Sequence, residues 1–457
     1  MDIAFILNGE AVELRDVDPQ TSVLDWLREV RGLTGTREGC NEGDCGACSV
    51  LVSDAEGSRA LSACLMFLPQ LNGRTLTTVE GLAGPGGQLH PVQQALIDHH
   101  ASLCGFCAPG IAISLAAGQI AGETDHVRQL TGNLCRCTGY TPALKAAKAA
   151  AEAPVPDWLA GLGAAPAPDC EPELPDTAEA LAAYLTRFPN ARIVAGGTDI
   201  APRVNTRMED LGRMVFIDRI EEMRRIETAR YMLRIGAAAT IEDLRLAMAP
   251  LHPDFADMLA RFGSPQVRAA ATVGGNIANG SPIGDTPPPL IALGAVLLLR
   301  RGDATRELPL EDFFLDYGRQ DLHPGEFIEA ITVPREPGEA DRLRVYKLSK
   351  RMDQDISTVL GAFNIEVNAG RVTTARIVYG GMAATPKRAR AMETALTGKA
   401  WTRETVELAK ARASQDFAPL SDHRGSRAYR LAAAANMLLR YWLEDQGARV
   451  RLSEVSA

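Results

Sequence analysis

The first 75 residues alternate short apolar runs with turn signals, a pattern that predicts a strand-rich domain. Residues 3–7 form an apolar run that leads into Asn8-Gly9, a hairpin turn signal, and residues 11–14 form the second strand. Residues 21–28 place apolar side chains at helical spacing behind a Thr-Ser cap and predict a helix. We therefore expect a first domain over residues 1–76.

Helical spacing replaces this pattern between Pro91 and residue 153. Pro91, Pro109 and Pro142 each stand near the start of a helical pattern. Proline is favoured there because the N–H groups of the first turn have no partner within the helix. The alanine-rich stretch after Pro142 is a strong helix former. A helical second domain is predicted over residues 77–153.

A linker is predicted over residues 154–176. Six prolines lie between residues 153 and 176, with alanine, glycine and little periodicity, which is typical of a semi-rigid connection. Beyond it, strand-like runs alternate with helical patterns, and this alternation predicts a mixed α/β domain over residues 177–335. The strand-like runs are residues 192–195, 214–217, 233–235 and 290–299, and the helical patterns are residues 179–187 and 241–248.

The last part of the chain predicts another mixed domain, over residues 340–450. Strands are expected near residues 345–348, 358–367 and 376–379. Helices are expected near residues 389–396 and 428–444. The whole chain is thus predicted to be an α+β multidomain protein.

Composition and charge narrow the class of protein. Apolar residues make up 46% and charged residues 23% of the 457 residues, as in globular proteins with ample cores. The formal charge of −9 disfavours a nucleic-acid or anionic-membrane partner, which would need a basic face. The longest apolar run, residues 290–299, is about half of a membrane-spanning helix. The N-terminus has no basic signal-peptide segment, so we expect a cytoplasmic location.

The first of two cysteine groups has the spacing of a plant-type [2Fe–2S] site. Cys40, Cys45 and Cys48 form C-x4-C-x2-C, and fifteen residues intervene before Cys64. Clustered cysteines in a reducing compartment indicate metal or redox chemistry rather than disulfides. Neighbouring glycines allow the loop to point backbone N–H groups at the sulfur atoms. Structural zinc is the alternative, although zinc sites favour paired C-x2-C knuckles.

The second group joins Cys104 and Cys107 with Cys135 and Cys137. Each pair precedes a predicted helix, where free N–H groups and the helix dipole favour a thiolate. The spacing alone leaves both an iron–sulfur cluster and zinc open. Cys170 lies in the predicted linker without a nearby partner, and we expect it to be a bystander.

Two glycine turns follow apolar strands later in the chain. No G-x-G-x-x-G follows a strand, so a Rossmann-type dinucleotide site is not expected. Glycine turns can wrap a pyrophosphate with backbone N–H groups, although a plain structural turn is the alternative for each. The first turn is Ile193-Val194-Ala195-Gly196-Gly197-Thr198-Asp199-Ile200, and the second is Thr272-Val273-Gly274-Gly275-Asn276-Ile277, with Ser281-Pro282-Ile283-Gly284-Asp285 behind it.

The cysteine groups and their flanks resemble one family, the molybdenum hydroxylases (the xanthine oxidase family). The motifs are long and specific, and the resemblance spans essentially the whole chain. They are Glu38-Gly39-Cys40-x4-Cys45-Gly46-x-Cys48, Leu89-His90-Pro91-Val92-Gln93-Gln94, Cys104-Gly105-Phe106-Cys107-x-Pro109-Gly110 and Gly132-Asn133-x-Cys135-Arg136-Cys137-Thr138-Gly139-Tyr140.

The resemblance implies four folded parts. These are a ferredoxin-like β-grasp domain, a four-helix [2Fe–2S] domain, an α/β FAD-binding domain of the non-Rossmann (vanillyl-alcohol-oxidase-like) type and an α+β C-terminal flavoprotein domain. It also implies two [2Fe–2S] clusters, whose ligands would be Cys40, Cys45, Cys48 and Cys64 for the first and Cys104, Cys107, Cys135 and Cys137 for the second.

The resemblance further implies a bound FAD. The first glycine turn, together with Thr272, Gly275, Asn276 and Asp285, would hold the phosphates and the ribityl chain. Phe262, Ile328 and Lys347 fall where the family places residues around the isoalloxazine ring. The alternatives are that Phe262 is an ordinary core residue and that Lys347 is a surface charge.

The implied activity is electron transfer as part of a larger enzyme. The order of clusters before FAD resembles the small subunit of the family's two-chain bacterial xanthine dehydrogenases. Such a subunit carries no catalytic residue of the molybdenum site. It would pass electrons from molybdopterin on a large subunit through two clusters and FAD to NAD+, in a heterotetramer of two small and two large chains that oxidises hypoxanthine and xanthine.

Three other functions stay open from the sequence. Another hydroxylase of the family, acting on an aldehyde, carbon monoxide or an N-heterocycle, could use a similar subunit. A reductase that acts without a partner and a zinc-binding structural adaptor belong to different classes. The sequence does not choose NAD+ over O2 as the acceptor.

Overall fold

The computed structural model describes residues 1–159, 174–335 and 341–450 of the chain. Cys170 and most of the predicted linker lie outside the described residues, as does residue 340 at the start of the predicted C-terminal domain. The chain divides into two compact units. The first unit comprises Met1–Leu181, Asn190–Ile220 and Gly263–Ala271, and the second comprises Ala182–Pro189, Glu221–Phe262 and Thr272–Ala457.

A five-stranded sheet opens the first unit. Its strands are β1 (Ile3–Leu7), β2 (Glu10–Leu14), β3 (Ser49–Asp54), β4 (Gly57–Ser62) and β5 (Thr75–Thr77). They lie in the order β2-β1-β5-β3-β4. β1 runs parallel to β5, and the other neighbours are antiparallel. This mixed sheet confirms the predicted ferredoxin-like β-grasp fold, and the β1–β2 hairpin turns at Asn8 and Gly9 as expected.

The predicted helix at residues 21–28 is shorter and irregular. Val23–Asp25 forms one α-helical turn, capped by the Ser22 hydroxyl, and Trp26–Val30 continues as a π-helical turn. The Trp26 ring lies edge-on to Phe5, with 5.4 Å between ring centroids. Leu24 and Leu27 are fully buried, so the apolar pattern places this segment against the sheet although its helix is distorted.

Four helices follow in the first unit, as predicted. They are α1 (Pro91–Asp98), α2 (Ala108–Ile120), α3 (His126–Gln129) and α4 (Thr141–Ala151). Pro91, Pro109 and Pro142 each occupy the first or second position of a helix. Small residues on α2 and α4 are buried between the helices, which explains the alanine-rich sequence. The 3-10 turns Ala63–Leu65 and Leu68–Leu71 lie between β4 and β5, and a third turn, Val79–Leu82, connects the sheet to these helices.

The first unit also contains segments from beyond the predicted linker. The strands Arg192–Val194 and Met214–Phe216 form a parallel pair. The short helices Ala201–Asn205 and Pro265–Arg268 also belong to it. Val194, Ala201 and Phe216 are buried in the same apolar cluster as the β-grasp core. The domain boundaries predicted from the sequence remain predictions.

A second five-stranded sheet lies in the second unit. Its strands, in spatial order, are Ala304–Pro309, Val296–Arg301, Phe327–Pro334, Met232–Gly236 and Ile226–Thr228. All neighbours are antiparallel. The accompanying helices are Glu221–Arg224, Ile241–Met248, Pro253–Ala260, Val273–Ala278, Pro287–Ala292 and Leu310–Phe313, with a small hairpin of Phe314–Asp316 and Arg319–Gln320.

The strand predicted over residues 290–299 is wrong in its first half. Pro287–Ala292 is a helix, and the strand begins only at Val296. Three consecutive prolines fill the first turn of this helix, where a missing N–H has no cost. Gly294, at φ +79°, then reverses the chain after the helix. The apolar run spans both elements because the helix and the strand are both largely buried.

A four-stranded antiparallel sheet and helices complete the second unit. The strands are Leu343–Leu348, Val359–Asn368, Arg371–Gly380 and Lys387–Arg388. The helices are Arg390–Leu396, Arg403–Lys410, Ala413–Asp416 and Arg427–Asp445. The helix Arg403–Lys410 was not predicted. The predicted α+β multidomain class is confirmed. Across the described residues, no helix has both the length and the apolar character that crossing a membrane requires.

Candidate iron–sulfur and flavin sites

The first cysteine group arranges its sulfur atoms in two pairs. The Cys40 and Cys45 thiols lie near each other, and their interaction lowers the pKa of Cys40 and raises that of Cys45. Cys48 Sγ and Cys64 Sγ are 3.4 Å apart, and both residues are buried. Cys64 lies on the 3-10 turn Ala63–Leu65, directly after β4, which brings it back to the loop before β3.

Backbone N–H groups converge on one sulfur of this group. The N–H groups of Glu42, Asp44 and Cys45 lie 3.5, 3.2 and 3.4 Å from Cys40 Sγ. The hydrogen bond from the Cys45 thiol lowers the pKa of Cys40 to about 5, with burial opposing and the backbone donors assisting the shift. Gly43 has φ +87°, so the loop needs a residue without a Cβ at this point.

The second cysteine group is also arranged in two pairs. Cys104 lies near Cys137, and Cys107 lies near Cys135, so that the members of each pair shift each other's pKa. Cys107 is the N-cap residue of α2, whereas Cys135 and Cys137 lie in the loop that leads into α4. Cys104 and Cys137 are exposed, but Cys107 is buried. Burial, followed by the Cys135 thiol, raises the pKa of Cys107 to about 12.

These sulfur pairs fit two-iron clusters. In a [2Fe–2S] cluster each iron takes two thiolates, so four ligands divide two and two. A structural zinc ion instead draws four ligands around one point. The arrangement therefore favours iron–sulfur chemistry over zinc.

The first glycine turn, in the first unit, leaves consecutive backbone donors free. The N–H groups of Gly196, Gly197, Thr198 and Asp199 make no hydrogen bond to the described part of the chain. The turn itself is held by Gln70, whose amide donates to the Ala195 carbonyl at 2.9 Å. A run of free N–H groups is the arrangement that binds an anion such as a phosphate.

Both glycines of this turn are required by the backbone around them. A Cβ on Gly196 would lie 1.7 Å from the Ala270 carbonyl oxygen. A Cβ on Gly197, which has φ +76°, would lie 2.5 Å from the Leu65 carbonyl oxygen. A purely structural turn is therefore enough to explain why these two residues are glycine. It does not explain why four consecutive N–H groups have no hydrogen-bond partner in the described part of the chain.

The second glycine turn, in the second unit, begins the helix Val273–Ala278. Thr272 caps this helix, because its hydroxyl accepts a hydrogen bond from the Gly275 N–H at 3.2 Å. Asn276 Oδ1 accepts a hydrogen bond from the Thr286 hydroxyl at 2.6 Å. The amide nitrogen of Asn276 makes no hydrogen bond to the described residues, and the side chain is partly exposed. Asn276 thus has a free donor for a ligand.

Asp285 and Lys347 form a buried ion pair in the second unit. Lys347 Nζ lies 2.5 Å from Asp285 Oδ2, and the two side chains are 2% and 8% exposed. The Ser357 hydroxyl donates to the other Asp285 oxygen at 2.6 Å. The surface-charge alternative for Lys347 is therefore wrong. Because its carboxylate is already paired, Asp285 would act on a ligand mainly by positioning Lys347.

The remaining predicted residues of the second unit differ in exposure. Ile328 is buried in the strand Phe327–Pro334, opposite Leu299. Phe262 is half-buried, so it is not a fully enclosed core residue. Gln70 and Ser357 were not identified from the sequence, because no local motif marks a side chain whose partner lies 125 or 72 residues away.

Four protein-family models match the chain in succession. The "2Fe-2S iron-sulfur cluster binding domain" matches residues 5–69, and the "[2Fe-2S] binding domain" matches residues 78–148. The "FAD binding domain in molybdopterin dehydrogenase" matches residues 171–336. The "CO dehydrogenase flavoprotein C-terminal domain" matches residues 344–445.

Individual proteins of known identity are similar over long stretches. Xanthine dehydrogenase of Emericella nidulans is 31% identical over 96% of this chain, which covers 38% of that protein. Carbon monoxide dehydrogenase from Hydrogenophaga pseudoflava is 31% identical, with a TM-score of 0.55 over 60% of this chain and 96% of that chain. Quinoline 2-oxidoreductase from Pseudomonas putida is 26% identical, with a TM-score of 0.55 over 60% and 96%. The chain spans about two fifths of the curated relatives that it matches.

Proposed function

This chain belongs to the molybdenum hydroxylase family (the xanthine oxidase family), and from that premise we propose that it is the electron-transfer subunit of a xanthine dehydrogenase. Its two iron–sulfur parts and its FAD part make it an oxidoreductase component. Bound clusters exchange single electrons and bound FAD exchanges one or two, so together they would connect a molybdenum centre to NAD+.

The four sulfur pairs are the observation that carries this proposal. We assign Cys40, Cys45, Cys48 and Cys64 to one [2Fe–2S] cluster, because they divide two and two within one loop and turn. Cys104, Cys107, Cys135 and Cys137 would hold a second cluster for the same reason. The backbone donors on Cys40 would stabilise the negative charge of the first cluster.

We assign FAD to the two glycine turns. The free N–H groups of residues 196–199, in the first unit, would donate hydrogen bonds to the diphosphate. Asn276, in the second unit, offers a free amide donor to FAD. Thr272 and Gly275 shape the second turn, and the buried Asp285–Lys347 ion pair would place the Lys347 ammonium in a fixed position beside the flavin. Phe262 and Ile328 are proposed as its apolar neighbours.

We propose that the substrate is oxidised on a second polypeptide that holds molybdopterin. The curated relatives carry about three fifths of their length outside the region matched here. The solved chains match about 60% of this chain over 96% of their own length, so each of them lacks part of what this chain contains. A heterotetramer of two such chains and two large chains is the proposed assembly.

Xanthine and hypoxanthine are the proposed substrates, with NAD+ as acceptor. Similarity to xanthine dehydrogenases over 96% of the chain supports this choice. Similarity to carbon monoxide dehydrogenase and quinoline oxidoreductase keeps those substrate classes as a second candidate. Isolating the complex from its native host, identifying the co-purifying chain and assaying all three substrate classes tests the choice.

Iron and sulfide content provides the first prediction. The purified, anaerobically handled chain should contain about four iron and four acid-labile sulfide. Cys45→Ser should remove one cluster's EPR signal and leave the other, because the four-cysteine groups are separate. Cys170→Ser, outside both groups, is the matched control and should change neither signal. Stoichiometric zinc, or retention of both signals in Cys45→Ser, would contradict the assignment.

FAD affinity provides the second prediction, tested at Asn276. Asn276→Asp keeps the oxygen that accepts from Thr286 but replaces the free donor with a negative charge. Because FAD carries a diphosphate, the binding free energy should weaken by about 1.5–3 kcal/mol, the value of a hydrogen bond to a charged group. Titration of the flavin-free protein with FAD measures this.

Asn279→Asp is the matched control for this variant. Asn279 is exposed and lies at the end of the same helix. Asn279→Asp therefore adds the same negative charge as Asn276→Asp but leaves the amide donor of Asn276 in place. Equal FAD affinities of the two variants would exclude Asn276 from the site. Gly197→Val is a poorer test, because its φ of +76° and the Leu65 carbonyl would disturb folding first.

A further inference from the structure

Three hydrogen-bonding contacts close a ring in the loop that carries Cys135. The Cys135 N–H donates to the Tyr140 hydroxyl at 2.8 Å. The Tyr140 N–H donates to Thr138 Oγ1 at 3.2 Å. Thr138 Oγ1 in turn lies 3.2 Å from Cys135 Sγ. The ring connects Cys135 Sγ, the Thr138 hydroxyl and Tyr140, which directly precedes α4.

The other contacts of the ring determine which atom is the donor between Thr138 Oγ1 and Cys135 Sγ. A backbone N–H can only donate, so Thr138 Oγ1 accepts from Tyr140 and its own proton remains available. A cysteine sulfur bound to iron is a thiolate and can only accept. The Thr138 hydroxyl therefore donates to Cys135 Sγ whenever this sulfur is a cluster ligand.

Backbone strain accompanies this ring. Tyr140 has φ +67°, a left-handed conformation that is unfavourable for an aromatic residue. Such conformations persist where the surrounding contacts hold them, and they concentrate at functional sites. Here the N–H and the hydroxyl of Tyr140 are both used by the ring, which accounts for the conformation.

The Thr138 hydroxyl distinguishes Cys135 from the other sulfurs of its group, because it lies 3.2 Å from Cys135 Sγ. Among the described residues, Thr138 provides the one side-chain hydroxyl that contacts any of the eight sulfur atoms.

We propose that Thr138 is a positioning residue that raises the reduction potential of the second cluster by donating its hydroxyl to Cys135 Sγ. This rests on the proposed function, because it requires Cys135 to be a cluster ligand. One-electron reduction adds one negative charge to the cluster and its thiolates. A donor to sulfur stabilises that charge, and hydrogen bonds to the sulfurs are among the factors that set cluster potentials.

Thr138→Val removes the hydroxyl while keeping the branched shape. The midpoint potential of the second cluster should become more negative, by about a tenfold change in its one-electron reduction equilibrium, which corresponds to about 59 mV. The first cluster should keep its potential. An EPR-monitored redox titration of the intact chain that follows both clusters measures this.

Three further variants separate tuning from packing. Thr138→Ser keeps the hydroxyl and should keep the potential, whereas Thr138→Ala should shift it as Thr138→Val does. Thr131→Val is the matched control, because the Thr131 hydroxyl donates to the Arg128 carbonyl rather than to sulfur. Unchanged potentials in Thr138→Val and Thr138→Ala would overturn the inference, as would a shift in Thr138→Ser equal to that of Thr138→Val.

The assembly of the clusters is measured on the same samples. If wild type contains about two iron and no second EPR signal, the proposed function fails and the inference falls with it. If wild type holds both clusters and Thr138→Val keeps the wild-type potential, only the inference fails. Loss of the second cluster in both Thr138→Val and Thr138→Ala would also overturn it, because a tuning residue is not required for assembly.

Discussion

Lys347→Met is expected to destabilise the second unit by about 3–5 kcal/mol, the usual cost of removing one partner of a buried ion pair. Lys347 is 2% exposed and lies 2.5 Å from Asp285. Its loss would leave a buried carboxylate that keeps the hydrogen bond from the Ser357 hydroxyl and the charge of Arg261 but no direct ion-pair partner. The large effect follows from the desolvated charge that remains rather than from the strength of the pair itself.

Denaturant unfolding, followed by far-ultraviolet circular dichroism, measures this loss independently of FAD occupancy. Lys399→Met is the matched control, because Lys399 is exposed and the same substitution should change stability little there. The double variant Lys347→Met with Asp285→Leu should regain part of the stability, since no unpaired charge then stays buried. Equal midpoints for Lys347→Met and Lys399→Met would contradict this account.

Local sequence signals predicted the elements that depend on local physics. Proline marked the starts of α1, α2 and α4, and Asn8-Gly9 marked the first hairpin, because these residues act through their own backbone angles. The cysteine spacing likewise predicted two groups of four, and in the structure the cysteines of each group lie near one another. Such features need no knowledge of distant contacts.

Long-range contacts explain what the sequence did not predict. The run at residues 290–299 is almost entirely apolar, so the spacing of apolar and polar residues could not distinguish the end of the helix Pro287–Ala292 from the strand that follows. The Asp285–Lys347 pair joins residues 62 positions apart, and neither side chain lies in a motif that reports on the other. Lys347 could therefore be a surface charge as far as the sequence indicated, and only the fold shows its burial.

The purified chain alone is expected to oxidise NADH with an artificial dye as acceptor but not to oxidise xanthine. NADH–dye activity needs only the flavin and cluster sites, which match residues 5–69, 78–148 and 171–336. Xanthine oxidation needs a molybdenum site, which we place on a partner chain. Adding the large chain should restore xanthine-dependent NAD+ reduction, measured by NADH absorbance.

Cys104→Ser is expected to abolish this coupled activity while NADH–dye activity stays near the wild-type value. Cys104 and Cys137 are the exposed sulfur pair of the second group, so we expect that cluster to face the partner. The first group keeps its buried Cys48–Cys64 pair and should still exchange electrons with FAD. Reduction of each cluster by xanthine and by NADH, followed separately by EPR, locates the block.

Cys170→Ser, the cysteine outside both groups, is the control for the loss of a thiol and should retain both activities. In Cys104→Ser, NADH should still reduce the first cluster, whereas xanthine should no longer do so in the complex. Full coupled activity without the second cluster would refute the proposed electron route. Xanthine turnover by this chain alone would refute the separate partner and leave the cluster assignments intact, because those rest on the paired sulfur geometry.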